Sequence, residues 1–304
     1  MAKRITVIGS SNVDMIMKLA HLPAKGETVT DGEFMQTYGG KGANQAVATA
    51  RAGGNVTFVT GVGDEHYGHA MLENFQRDGI DTQHALIAPE VPSGSALIMF
   101  DTEGANYLAV APGANYAITP AHIEALRDLI RDSALVVMQM EIPAESVLRA
   151  LEIAQEEETP VLFNFAPAKP DALAISDKMT WLVVNEIEAD MLTGLPVQNR
   201  EQVEQVAEVL RAKGPRYVIL TLGAEGAYLA TEGVGELVPT FAITPVDTTA
   251  AGDTFSGALA VAVVEEMPLL EAVRFANAAA ALSVTRMGAQ PSIPYRTEIE
   301  ALLR

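Results

Sequence analysis

The sequence contains no cysteine. That excludes disulfide bridges, thiolate nucleophiles and cysteine-ligated zinc. Positive charge is scarce: 20 lysines and arginines face 39 acidic residues, a formal net charge of −19. Such a chain repels polyanions, so neither nucleic acid nor an anionic membrane surface is expected as a partner. A phosphorylated small molecule remains compatible, because backbone amides and a metal ion can hold phosphate locally. No apolar run reaches membrane-spanning length and no basic-then-apolar leader precedes Ile5, so the expected compartment is the cytoplasm. Internal repeats, low-complexity tracts and Pro/Ser-rich linkers are also missing. Two catalytic signatures do not occur: no Gly-Lys is followed by Ser or Thr as a P-loop requires, and there is no G-x-S-x-G elbow.

What is present suits one large α/β domain. Of 304 residues, 49% are apolar and 19% charged, enough for a substantial core. Short apolar runs at 5–8, 56–60, 135–140, 161–165, 181–184 and 217–222 read as buried strands. Amphipathic stretches at 42–52, 145–157, 199–213, 254–265 and 269–285 read as helices. Asn199 and Gln202 form an expected cap pair, Gly214 a stop, and Thr119-Pro120 a further helix start. This alternation implies a mostly parallel sheet with helices on both faces, a three-layer αβα sandwich. Residues 13–18, 96–100 and 106–110 break the rhythm as strands without intervening helices. The last two flank Asp101-Thr102-Glu103-Gly104, an expected hairpin turn. They are expected to form a small antiparallel β lid, inserted from about 12–38 and 93–111 into one domain spanning 1–304. Ligands of open α/β sheets bind at the carboxyl ends of strands, where such a lid would sit.

The most informative segment runs from Asp247 to Ser256, D-T-T-A-A-G-D-T-F-S. Ala250, Ala251 and Gly252 lead directly into an apolar helix and leave its first amide N–H groups bare, an anion site needing no lysine. Asp253 at the same end would repel phosphate. It makes sense as the base for a hydroxyl about to attack that phosphate, against the plainer reading of a helix cap. In Gly39-Gly40-Lys41-Gly42-Ala43-Asn44-Gln45-Ala46, three glycines admit a ligand close to the backbone, and Asn44 offers both a donor and an acceptor. A dinucleotide loop is a poor rival, since Gln45 stands where that fingerprint wants Gly or Ala.

Asn12 and Asp14 share one face of an extended segment and could clamp a pair of sugar hydroxyls, or simply make a turn. Glu141 follows a strand, where its carboxylate could point into the expected ligand site or simply face solvent. Asn185 and Glu188 open a helix, where Glu188 could orient hydrated magnesium or merely enrich the helix start with acid. Thr221-Leu222-Gly223-Ala224-Glu225-Gly226 is a strand and glycine turn that could admit a nucleotide. His66 and His69 lie three apart in a turn-like stretch with no third ligand, so a solvated loop is favoured over a metal pair.

Taken in order, G-S-S-N-V-D, G-G-K-G-A-N-Q-A, Asn185-x-x-Glu188, T-L-G-A-E-G and D-T-T-A-A-G-D-T-F-S-G resemble the ribokinase-like (phosphofructokinase-B type) carbohydrate kinases over nearly the whole chain. The resemblance implies ATP-dependent phosphorylation of D-ribose at its 5-hydroxyl. It assigns Asn12, Val13, Asp14, Gly40, Lys41, Gly42, Ala43, Asn44 and Glu141 to the sugar. Asn185, residues 221–226 (Thr221, Leu222, Gly223, Ala224, Glu225, Gly226) and Asn277 would hold ATP, together with Gly252 and Asp253. Magnesium would be served by Glu188 through water. Ala250, Ala251 and Gly252 would form the anion hole, with Asp253 as base. A monovalent-cation site, potassium, is implied at Asp247, Thr249, Ser283, Arg286, Gly288 and Ser292, several through backbone carbonyls. A homodimer joined through the lid is implied as well. Alternatives are a same-fold kinase of deoxyribose, another sugar or a nucleoside; a non-catalytic sugar or nucleotide binder; and, more distantly, a nicotinamide-dependent dehydrogenase.

Overall fold

The computed structural model describes residues 3–103 and 105–304, with Asn106 described by its backbone alone. Gly104 of the expected hairpin turn lies outside them. The strands are β1 (Arg4–Ile8), β2 (Asn12–Leu19), β3 (Glu33–Gly39), β4 (Asn55–Val59), β5 (Gly61–Gly63), β6 (Leu86–Ala88), β7 (Gly94–Asp101), β8 (Asn106–Ala111), β9 (Leu135–Met138), β10 (Val161–Asn164), β11 (Trp181–Asn185), β12 (Tyr217–Thr221), β13 (Ala227–Thr231) and β14 (Val234–Val238). The helices are α1 (Lys41–Arg51), α2 (His66–Arg77), α3 (Pro120–Glu124), α4 (Arg127–Arg131), α5 (Ala144–Glu156), α6 (Glu186–Thr193), α7 (Arg200–Arg211), α8 (Ala251–Val264), α9 (Leu269–Ser283) and α10 (Arg296–Leu303).

Eight strands form the central sheet in the order β14-β13-β12-β11-β10-β9-β1-β4. From β4 to β12 the pairs are parallel; β13 and β14 close the edge antiparallel. The apolar runs that predicted buried strands are buried on both faces. Along β9, Leu135 and Val137 join one core while Val136 and Met138 join the other. Side chains alternate across a strand, so one continuous apolar run serves two cores. Helices α1, α2, α8, α9 and α10 cover the first core, and α3 to α7 the second, giving the expected three layers.

A second sheet of order β3-β2-β7-β8 projects from the first. Its outer pairs are antiparallel, as expected of the lid, while its central pair β2–β7 is parallel, from Asn12↔Gly94 to Leu19↔Asp101. The connection between β2 and β7 passes through the main sheet, which permits a parallel pairing that no hairpin could make. The stretch read as a turn around His66 is instead the start of α2, and β13 and β14 are strands outside the sequence expectation.

Candidate active site

Helix α8 begins one turn earlier than the apolar pattern suggested, at Ala251. Its cap, Ala250, is left-handed (φ 59°, ψ 12°) and gives no side-chain hydrogen bond. A non-glycine residue in that region costs roughly 1–3 kcal/mol, strain typical of loops shaped for a ligand. No neighbour lies within 4 Å of where a Cβ on Gly252 would stand, so open space fronts the first turn. Asp253 is buried in that turn, at 5% exposure. Its Oδ2 accepts from Asn44 Nδ2 at 2.9 Å and its Oδ1 from Gln45 Nε2 at 3.0 Å. These bonds hold the carboxylate sideways instead of over its own helix end, which removes the plain capping reading.

The sugar-side residues meet where β1, β2 and α1 join. Gly40 has φ 90°, and a Cβ there would stand 3.0 Å from the Asn12 nitrogen and the Ser10 carbonyl oxygen. Gly42 packs tighter: a Cβ would fall 2.4 Å from the Ser10 nitrogen. These two glycines seat α1 on the turn after β1. Glu141 Oε2 then accepts from the Lys41 amide at 2.9 Å and from Ser10 Oγ at 2.5 Å. Asn12 and Asp14 share a face of β2, whereas Val13 and Ala43 put their side chains into the core and have only backbone to offer a ligand. Asn115 donates to Asn12 Oδ1 at 2.8 Å, which turns the Asn12 NH₂ outward as a donor. Burial, with the nearby Glu141 charge, pushes the Asp14 carboxyl up to about 7.

A cleft of ≈ 180 Å³ joins this corner to the carboxyl ends of β10, β11 and β12. Lys41, Asn185, Glu188, Thr221 and residues 250–253 line it. The Asp253 charge beside Lys41 raises the ammonium above its usual range, against the opposing effect of burial, and Glu141 and Glu188 add to the rise. Asn185 and Glu188 form a reciprocal cap: Glu188 N–H donates to Asn185 Oδ1 at 2.8 Å, and Asn185 N–H to Glu188 Oε2 at 3.0 Å. Glu188 therefore caps α6 and also lines the cleft. Burial raises its carboxyl, and Lys41 partly offsets that.

Beyond Thr221, Leu222 is buried while Gly223, Ala224 and Glu225 make an exposed single turn. Asn277 is buried on α9 and spends its amide on the Val238 carbonyl at 2.8 Å. It thus holds the chain leaving β14 and does not line the cleft.

Of the implied cation residues, the structure brings Asp247, Thr249 and Gly288 together. Asp247 Oδ1 accepts from Thr249 N and Oγ1 at 2.9 and 2.6 Å, and Oδ2 from Gly288 N at 2.8 Å. Val246 N donates to Val284 O at 2.7 Å, tying the loop before α8 to the end of α9. Burial works to raise the Asp247 carboxyl, but the bonds from Thr249 and Gly288 leave it below its usual range. Ser283 and Ser292 turn their hydroxyls onto Ala280 O and Ala289 O, and Arg286 pairs with Glu298. His69 pairs with Asp64, and no group of three or more metal-ligating side chains occurs among the described residues.

A model of the pfkB family carbohydrate kinases matches residues 2–296. The chain belongs to that family. It is 40% identical to the ribokinase of Bacillus subtilis (99% of each chain covered) and 38% identical to that of Haemophilus influenzae (98% of this chain, 97% of the relative). A solved ribokinase from Arabidopsis thaliana, complexed with ribose and ATP, superposes with TM-score 0.92 at 32% identity, covering 100% of this chain and 99% of that one.

One part of this pfkB-family site escaped sequence reasoning. Gln45, Gln139 and Asn164 are all buried behind Asp253 and hydrogen-bonded in series. A usable signal existed for Gln45, which shares a helix face with Gly42 and Thr49, at spacings of three and four.

Proposed function

We propose that this chain phosphorylates D-ribose on its 5-hydroxyl with ATP. One observation carries the reading: Asp253 stands between the sugar-side amide of Asn44 and the open first turn of α8, in the cleft that Asn185 and Thr221 also line. A hydroxyl seated against Asn12, Asp14 and Asn44 would meet Asp253 as the acceptor of its proton. A phosphoryl group arriving from the β11–β12 side would meet the first turn of α8, where Ala251 N–H already donates to Thr248 O at 3.3 Å and Ala250 and Gly252 front the cleft, and the Lys41 ammonium. Proton acceptance at one end and anion stabilisation at the other are the requirements of phosphoryl transfer to an alcohol. A binder without catalysis has no use for a carboxylate at a phosphate site.

Glu188, one carboxylate facing the phosphate cleft, would serve magnesium through water. Magnesium, when bound, supplies neutralisation of phosphate charge. Asp247 and Thr249, with backbone carbonyls such as that of Gly288, would make an all-oxygen set for potassium, and the Asp247 segment leads straight into residues 250–253. Arg286 and the two serines would contribute carbonyl oxygens, since their side chains are engaged elsewhere.

A homodimer through the lid is supported by its exposed apolar side chains: Phe34, Met35, Leu97, Tyr107, Leu108 and Val110 all lie open on a small sheet. No helix among the described residues is long and apolar enough to cross a membrane. A cytoplasmic location is consistent with that and remains our proposal.

The test is ADP release across a panel of pentoses, hexoses and nucleosides, followed by identification of the phosphorylated carbon. Ribose with the highest kcat/KM and product at C5 is expected. Equal efficiency on 2-deoxyribose would shift the assignment to a broader pentose kinase, and a nucleoside preference would replace it.

A further inference from the structure

We propose that Gln45 is a positioning residue that aims Asp253, and that the direction of its amide is dictated from within the sheet, by the Val183 carbonyl of β11 acting through Asn164. The inference rests on the reading of Asp253 as the base. Val183 O is an acceptor only, so Asn164 must point its Nδ2 there, at 3.2 Å. Asn164 Oδ1 consequently faces Gln45 and accepts from its Nε2 at 3.0 Å. The same Nε2 donates to Asp253 Oδ1 at 3.0 Å, and Gln45 Oε1 is left to accept from Gln139 Nε2 at 2.7 Å. Every link is buried, Gln45 and Gln139 at 0% exposure. Reversing any amide would set two donors or two acceptors face to face without water to relieve them.

The chain therefore presents N–H, and never C=O, to Asp253. Asn44 occupies Oδ2, Gln45 occupies Oδ1, and the carboxylate is fixed at both oxygens against rotation. The charged groups around it are Lys41 from α1 and Glu188 from α6. Fixing the acceptor costs nothing at the moment of reaction, whereas a freely turning carboxylate would lose alignment with the hydroxyl.

Two substitutions and a pH profile test this. Gln45→Met keeps the volume but removes the donors. It should lower kcat by about 10- to 100-fold, the scale of a small misplacement of a reacting group, while KM for ATP and sugar stays within a few-fold. Gln45→Glu replaces the donor with an oxygen facing Asp253 Oδ1. The two carboxylates must then share a proton, and the acid limb of kcat/KM should move to higher pH. Should either variant fold poorly, Gln139→Glu acts from one step away. Its carboxylate cannot donate to Gln45 Oε1, and Asn164 still fixes the Gln45 amide, so a negative charge is set one side chain away from Asp253 and the acid limb should again move up. ATP affinity by calorimetry and the thermal midpoint confirm the folded state of each variant. Variants that fold and keep wild-type kcat and acid limb would overturn the proposal. Asp253→Asn, run alongside, separates the two levels. An inert Asp253→Asn with silent Gln45 variants sinks only this inference, whereas an active one sinks the base assignment beneath it.

Discussion

Asn44 gives its amide nitrogen to Asp253 Oδ2 at 2.9 Å, and its own Oδ1, fully buried, has no hydrogen-bond partner among the described residues. A buried acceptor without a hydrogen bond costs about 1–3 kcal/mol. A sugar hydroxyl donating to this oxygen would recover that cost on binding. Asn44→Ala should therefore raise the sugar KM by about tenfold or more, with the ATP KM little changed. It should also lower kcat, because Asp253 loses one of its two holders. Steady-state kinetics with each substrate varied in turn gives the answer; an unaltered sugar KM would remove Asn44 from the sugar site.

Asp14 links function to stability. Its carboxyl is raised to about 7 in the fold against 3.8 unperturbed, so between those values the folded state binds the extra proton. Stability contributed by protonated Asp14 is full below about pH 4 and declines as pH rises through about 7. Asp14→Asn, which mimics the neutral form, should raise the thermal midpoint relative to wild type at pH 8 and leave it nearly equal below pH 4. Sugar affinity in the wild type should run the other way. It should improve as pH climbs past 7 and the ionised carboxylate accepts hydroxyl protons. A midpoint difference that ignores pH would contradict this account of Asp14.

Potassium, titrated at constant ionic strength into buffer free of potassium, sodium and ammonium, should raise turnover saturably. Asp247 organises the loop through Thr249 and Gly288, so Asp247→Ala should weaken the response. A flat titration would show that the loop works without the ion.

Leu108 and Met35 lie in one cross-strand row with Ile16 and Ile98, on the face of the lid that also carries Asp14. A charge placed in that row by Leu108→Glu should convert a dimer to monomers in sedimentation velocity. The monomer should bind sugar more weakly, since the lid would lose its support. A wild-type monomer would rule out dimerisation through the lid.

Much of this was legible in the chain itself, for physical reasons. Strands buried on both faces appear as apolar runs, so β1, β4, β9, β10, β11 and β12 are found within two residues of their observed ends. The anion-hole segment is legible because small residues, a carboxylate and an apolar helix stand next to one another in sequence. Strand β14 was not, since Val234, Gly235 and Glu236 are exposed at a sheet edge and show no apolar run. Nor was α2, whose buried Gly68, Met71 and Phe75 are spaced for a helix but preceded by polar residues that read as a turn. The amide series was the hardest to see. Gln45 comes from α1, Gln139 from just after β9 and Asn164 from the end of β10, and polar side chains reveal burial only once the sheet brings them together.

The central claim, that Asp253 accepts the proton of the attacking hydroxyl, is tested most directly by one measurement on Asp253→Asn. ATP and ribose affinities are determined by calorimetry, and ADP formation is then followed at saturating levels of both. The amide matches the carboxylate in size but cannot take the proton. Our account predicts affinities within a few-fold of wild type and kcat reduced by about 10²- to 10⁴-fold, the usual contribution of a general base. Turnover within a few-fold of wild type, with both ligands bound, would contradict it.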